Sequence, residues 1–365
     1  MKPFLKQIGV LLLVFISCKA GAQQGVGINY KTDSIVFTGS KTGITYGATL
    51  TLPKVNKLCP AVIIVSGTGK QDRDGGMAGH KLFLTIANYL CNRGIAVLRV
   101  DDRGTGKTTG VYETATTADF ADDALSAVDY LKTIQGINPN KIGLLGHSEG
   151  GAAISIAAAS STDVKFLISV AGLATNGLEA QILQNEALVN SAPIPDYDKK
   201  RFNQVDSLMF KTALQYADAD DMEKHLMDTF EIWRKKDSVY FQTLHVQFDH
   251  FRFPIYSWSK TATGPWYRYF IKYDATKFLT RVKVPILALN GDKDLMVAYK
   301  QNLDNWKKYP EMGGNKDVTT AVMPGLNHLF LPCVKCTLQE YPEIKSDFSP
   351  EALKIIGDWI TKKFN

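Results

Sequence analysis

The stretch that decides the fold runs Ile142-Gly143-Leu144-Leu145-Gly146-His147-Ser148-Glu149-Gly150-Gly151-Ala152-Ala153-Ile154. Its first four residues form a short apolar run of the kind buried in a parallel sheet, and its end opens a helix of small residues. Between them, Gly146 to Gly150 fits G-x-S-x-G. A strand that turns sharply into a helix brings the two backbones so close that Cβ atoms at 146 and 150 would clash. The same turn lifts a serine Oγ clear of the sheet, at a helix N-terminus that favours developing negative charge. The strand before and the helix after carry the reading, because the bare pattern recurs by chance. Ser148 is the candidate nucleophile.

Outward from this turn, the chain alternates strand and helix signals from Ser34 onward. Residues 35–37 and 48–52 read as a leading hairpin, and residues 61–65 and 95–100 as buried strands. Leu82, Ile86 and Leu90 repeat at helical spacing between them, and Phe120, Leu125, Val128 and Leu131 mark the next helix. Further strand-like runs fall at 142–145, 166–170, 285–289 and 318–323. Ser349-Pro350 is an N-cap followed by proline at the first helical position, before an apolar face of Leu353, Ile356 and Ile360. Such alternation predicts an α/β fold with a mostly parallel sheet flanked by helices.

Residues 173–277 break the alternation. Phe202, Val205, Met209, Ala213 and Tyr216 sit at helical spacing, as do Met222, Leu226, Phe230 and Trp233, and no buried-strand run appears. The expectation is a helical cap inserted into a core made of 23–172 and 278–365. Eleven aromatic residues fall between Tyr240 and Phe270. They either build the cap's own core or line an apolar substrate pocket.

A serine nucleophile needs a base, and on sheets carrying such a turn the order along the chain is Ser, then Asp or Glu, then His. His80 and His147 precede the serine, and His225, His245 and His250 lie in the insertion. That leaves His328, in the loop after the last strand. The acid belongs just past the strand ending at Leu289, in Asn290-Gly291-Asp292-Lys293-Asp294. Both aspartates qualify by position; a G-x-x-D turn favours Asp294 and leaves Asp292 as a turn residue. The expected oxyanion donors are the backbone N–H of Glu149 and that of Thr68, in the glycine-containing loop Ser66-Gly67-Thr68-Gly69. Residues 103–108, Arg-Gly-Thr-Gly-Lys-Thr, end like a phosphate-binding loop, but Asp101 stands where the first glycine is required. Asp101, Asp102 and Arg103 are expected to brace the active-site rim instead.

Four stretches together resemble the secreted bacterial α/β-hydrolases related to prolyl-oligopeptidase-like peptidases and acyl esterases. They are residues 66–74, residues 101–106, residues 146–151, and Gly291 to Asp294 with Asn327-His328. The resemblance covers the core from about Ser34 to Lys362 and skips the insertion. It implies the α/β-hydrolase fold, an acyl-enzyme mechanism without cofactor or metal, and the triad Ser148, Asp294, His328. Ser66 departs from the pattern, since many relatives carry His before the oxyanion glycine.

The expected function is hydrolysis of a small carboxylic ester. The first alternative is a serine peptidase acting on short peptides, and a less favoured one is a binding protein on an inactive hydrolase fold. An aminopeptidase would need acids near the pocket; Asp218, Asp220 and Asp221 are available but read as a solvated helix start.

Composition agrees with a globular enzyme: 365 residues, 45% hydrophobic and 21% charged. The net charge of +6 invites an acidic partner, yet Lys2, Lys6 and Lys19 lie in the first 22 residues, which hold no acid. The remainder carries +3 with no basic stripe, which removes the case for nucleic acid. Residues 1–22 combine a basic start, an apolar run over 8–16 and Ala20-Gly21-Ala22, the pattern of a secretory signal peptide. A lipobox-like Phe15-Ile16-Ser17-Cys18 offers lipidation at Cys18 as the one route to a membrane, so the expected location is periplasmic or secreted. Cys59, Cys91, Cys333 and Cys336 remain, and export allows disulfides among them. Cys333 and Cys336 read as a local disulfide or as two ordinary thiols.

Overall fold

The computed structural model describes residues 30–364, so the leader expected over 1–22, with Cys18, lies outside them. Eight strands form one sheet in the order β1 (Tyr30–Thr38), β2 (Thr45–Pro53), β6 (Ala96–Val100), β3 (Cys59–Val65), β7 (Ile137–His147), β8 (Phe166–Val170), β9 (Ile286–Gly291), β10 (Val318–Met323). β4 (Gly76–Met77) and β5 (His80–Lys81) form a separate two-stranded ribbon. β2 pairs antiparallel with β1 and β6, and every pair from β6 to β10 is parallel. The central strands are apolar on both faces because helices cover both: all seven residues of β3 and all five of β8 are buried.

One face carries α2 (Thr117–Lys132) and α3 (Gly150–Ser160), and the other α1 (Leu82–Cys91) and α11 (Pro350–Phe364). α2 opens on a capping box in which the Thr116 hydroxyl and the Asp119 backbone and carboxylate exchange hydrogen bonds. Ser349 caps α11, accepting from the N–H of Ala352, and Leu353, Ile356 and Ile360 face the core. α10 (Tyr299–Met312) lies between β9 and β10.

β3 is the switch point. The chain leaves it towards β6 on one side and returns to β7 on the other, so loops at the carboxyl ends of β3 and β7 diverge around a crevice.

Between β8 and β9 the chain runs through six helices: α4 (Gly177–Ser191), α5 (Asp196–Gln215), α6 (Met222–Gln242), α7 (Ile255–Ala262), α8 (Pro265–Ile271) and α9 (Ala275–Leu279). α5 and α6 pack Val205, Met209, Leu226 and Trp233 into a second core with Phe251 and Tyr267. α9 instead returns Ala275 and Leu279 to the main core, beside Ala153 and Ala157 of α3. Arg201 on α5 is the polar fastener of this region. Its guanidinium, 1% exposed, makes paired hydrogen bonds to Asp237 (2.8 and 2.6 Å) and Asp249 (2.8 and 2.7 Å) and one to Asp198 (2.9 Å). Cys333 and Cys336 form a disulfide, while Cys59 and Cys91 are free and buried.

Candidate active site

Ser148 sits between the end of β7 and the start of α3 with φ +58°, a left-handed conformation that a residue with a side chain adopts only under constraint. The constraint is visible in the hydrogen bonds around it. The Ser148 carbonyl accepts from the N–H groups of Gly151 (3.0 Å) and Leu173 (2.9 Å). The turn is so tight that a Cβ on residue 146 would lie 2.3 Å from the Gly150 carbonyl oxygen, which is why glycine stands there.

His328 lies in the loop after β10, and its Nδ1 is 2.9 Å from Asp294 Oδ2, with both side chains buried. Asp294 is held in turn. Its Oδ1 accepts from the N–H groups of Met296 (2.7 Å) and Val297 (2.9 Å), and its Oδ2 from Asn290 Nδ2 (3.0 Å). Asp292 faces elsewhere, accepting from the Gly325 N–H at 2.7 Å, and so ties the histidine loop to the end of β9. Asn327 shapes that loop by accepting from the N–H groups of Leu329 and Leu331. His147 supports it from below: its Nε2 donates to the His328 carbonyl oxygen at 3.1 Å, which leaves Nδ1 as the unprotonated nitrogen. Complete burial, with His328 beside it, lowers the His147 pKa to about 3 and keeps the ring neutral.

The loop after β3 presses against the serine: a Cβ on Gly67 would lie 2.7 Å from Ser148 Cβ. Among the described residues, neither the Thr68 nor the Glu149 backbone N–H has a protein acceptor. Two carboxyls fix this loop. Asp102 accepts from Ser66 Oγ (2.6 Å) and from the Gln71 N–H (2.7 Å), so the Ser66 hydroxyl braces the loop. Burial raises the Asp102 pKa to about 6. Glu149, 4% exposed, accepts from Thr68 Oγ1 (2.6 Å), Thr117 Oγ1 (2.6 Å) and Trp266 Nε1 (2.8 Å), and burial raises its pKa too. The side chains of both expected oxyanion residues are thus bonded to each other. The phosphate-loop look-alike is structural: Arg103 pairs with Asp119 and Asp123, and the Thr108 hydroxyl donates to the Asp101 carbonyl.

Ser148, His328, Thr68 and Glu149 line one cavity of about 280 Å³, whose lining also includes Gln181, Trp266, Phe270 and Met296. The aromatic residues of 240–270 divide between uses. Phe251 and Tyr267 are buried in the second core, Trp266 and Phe270 face this cavity, and Phe248 and Tyr256 are exposed. The three acids named for an amine-binding role are all on the surface, Asp218 paired with Lys272 and Asp221 with His225.

Four functional candidates were not singled out in the sequence. Asn290 precedes the two candidate acids and carries no role in the sequence pattern, and Glu149 enters that pattern through its backbone N–H alone. Trp266 was one aromatic among eleven. Asp206 had a readable signal: it stands four residues from both Phe202 and Phe210, an acid on an apolar helical stripe.

The chain matches the family described as X-Pro dipeptidyl-peptidase (S15 family) over residues 42–331. Esterase EstD of Thermotoga maritima is 24% identical over 318 residues, which are 86% of this chain; the chain spans 65% of that relative's length. Among solved structures, an esterase of Pyrococcus furiosus superposes with TM-score 0.53 at 14% identity, covering 93% of each chain. An acylaminoacyl peptidase of Pyrococcus horikoshii superposes with TM-score 0.52 at 14% identity, covering 92% of this chain and 42% of that one. The fold is that of the α/β-hydrolases.

Proposed function

The chain belongs to the X-Pro dipeptidyl-peptidase (S15) family, and from that premise we propose that it is a serine hydrolase cleaving small carboxylic esters through an acyl-enzyme. The observation that carries the reading is the His328–Asp294 hydrogen bond in a cavity that also holds Ser148 on its strained turn. With Nδ1–H donated to Asp294, the lone pair of His328 lies on Nε2, the nitrogen required to accept the Ser148 proton. Ser148 Oγ attacks the carbonyl carbon as His328 takes that proton. The oxyanion forms against the N–H groups of Thr68 and Glu149, and His328 returns the proton to the leaving oxygen. Water then repeats the sequence on the acyl-enzyme.

An ester is favoured over an amide by EstD, an esterase, and by the apolar wall that Trp266 and Phe270 give the cavity. The second reading, a peptidase, is favoured by the family's own description. Parallel panels of p-nitrophenyl esters and X-Pro p-nitroanilides separate them. Higher kcat/KM on esters is the expected result, and equal or faster amide cleavage gives the second reading. An exported location is part of the proposal, supported by the signal-like residues 1–22 and the Cys333–Cys336 bridge.

A further inference from the structure

A second cavity, of about 440 Å³, lies within the helical cap and shares Gln181 and Trp266 with the catalytic cavity. Its walls are mainly aromatic: Phe202, Phe210, Phe253, Trp258 and Tyr267 besides Trp266. Asp206 is the one charged residue in this lining. Among the described residues, no cation and no hydrogen-bond donor reaches its carboxylate, and the half-buried group has its pKa pushed up to about 7 by burial alone. The Tyr267 hydroxyl, on a side chain 4% exposed, is also without a partner.

A half-buried, unpaired carboxylate against aromatic walls is poorly solvated in the free protein, and acids withdrawn from water are mostly paired. Arg201, five residues before it on the same helix, shows how this region pairs its other acids. Here the complementary charge is missing, while the surrounding faces of Trp, Phe and Tyr are the surfaces that attract a desolvated ammonium. We infer that the Asp206 cavity is a subsite for an alkylammonium group, and that the substrates are esters carrying such a cation on an arm running past Trp266 from the scissile carbonyl. The inference rests on the hydrolase reading for the word substrate, but the cation site stands apart from it.

The test compares matched esters and, separately, binding. The substrate pairs are p-nitrophenyl 6-aminohexanoate against p-nitrophenyl heptanoate, and butyrylcholine against its 3,3-dimethylbutyl carbon isostere. The wild type is expected to favour a cationic member by roughly tenfold or more in kcat/KM. In Asp206→Asn that ratio collapses towards one. A preference within the aminohexanoate pair puts the cation on the acyl arm and one within the choline pair puts it on the alcohol arm, and either supports the subsite; equal rates within both pairs, or a preference that survives Asp206→Asn, overturns the proposal. Binding is read by tryptophan fluorescence during a choline titration of Ser148→Ala. Saturable quenching is expected, lost when Asp206→Asn is added and not reproduced by 3,3-dimethylbutanol; quenching indifferent to Asp206 overturns it. Absence of all ester turnover would defeat the ester-hydrolase reading while leaving this binding result decisive for the cation site. Because Asp206 is unpaired, Asp206→Leu is expected to raise Tm while abolishing choline binding, an opposition that a merely structural acid would not produce.

Discussion

Ser148 keeps a backbone conformation that an ordinary turn would release, because its carbonyl is pinned by Gly151 and Leu173 and glycines stand two residues away on either side, at 146 and 150. Gly146→Ala would push a methyl to 2.3 Å from the Gly150 carbonyl. The expected destabilisation is about 1–3 kcal/mol, read as a lower urea midpoint with an unchanged slope. The two aspartates past β9 separate by what they touch. Asp294→Asn removes the acceptor that fixes the His328 tautomer and should lower kcat roughly 10³–10⁴-fold. Asp292→Asn alters a loop contact to Gly325 and should cost less than about tenfold. The reverse ranking of ester turnover would assign the role of the acid to Asp292. These residues were legible because each chemical role demands a residue type at a place fixed by chain order. The Glu149 side chain was not legible, since nothing in G-x-S-x-G says where the fourth residue's carboxyl points.

At the scale of elements, α8 meets the Ser148 turn through one side-chain bond, Trp266 Nε1 to Glu149. Trp266→Phe keeps the ring but leaves the Glu149 Oε1 with Thr117 alone. A net loss of about 1.5–3 kcal/mol is expected for a donor to a charged group, and a loosened oxyanion loop should appear as lower kcat more than higher KM. Equal change in both parameters for ester substrates would mean the bond only shapes the pocket. Within the cap, Arg201→Met strands Asp198, Asp237 and Asp249 without their cation. The cap should lose about 3–5 kcal/mol of stability, seen as faster proteolytic nicking within α5 and α6. The helices themselves were readable from apolar periodicity. The Arg201 cluster was not, because its acids come from positions 198, 237 and 249, and no local pattern joins them.

For the whole molecule, the loops that meet at the serine all leave carboxyl ends of parallel strands: β3, β7, β9 and β10. Strand runs and their order of appearance were readable in the sequence; the spatial order, with β6 placed between β2 and β3, depends on long-range pairing that no short segment encodes. The half-buried carboxyl of Asp102, bridging the β3 loop to the loop after β6, ties this assembly to pH. Its pKa is raised from 3.8 to about 6, so between these values the folded protein keeps a proton that the unfolded chain has released. Stability contributed by this group therefore falls as pH rises from about 4 to about 6 and is level above that, a change on the order of 3 kcal/mol. Urea midpoints across that range should slope downward in the wild type and less steeply in Asp102→Asn, where the raised carboxyls of Glu149 and Asp206 keep a residual slope. The central claim, that Ser148 is the nucleophile of this assembly, is tested most directly by intact mass after treatment with a fluorophosphonate. One adduct per chain, mapped to the peptide holding Ser148 and absent in a folded Ser148→Ala, is the predicted result. Labelling that persists in Ser148→Ala, or a folded wild type that takes no label, contradicts it.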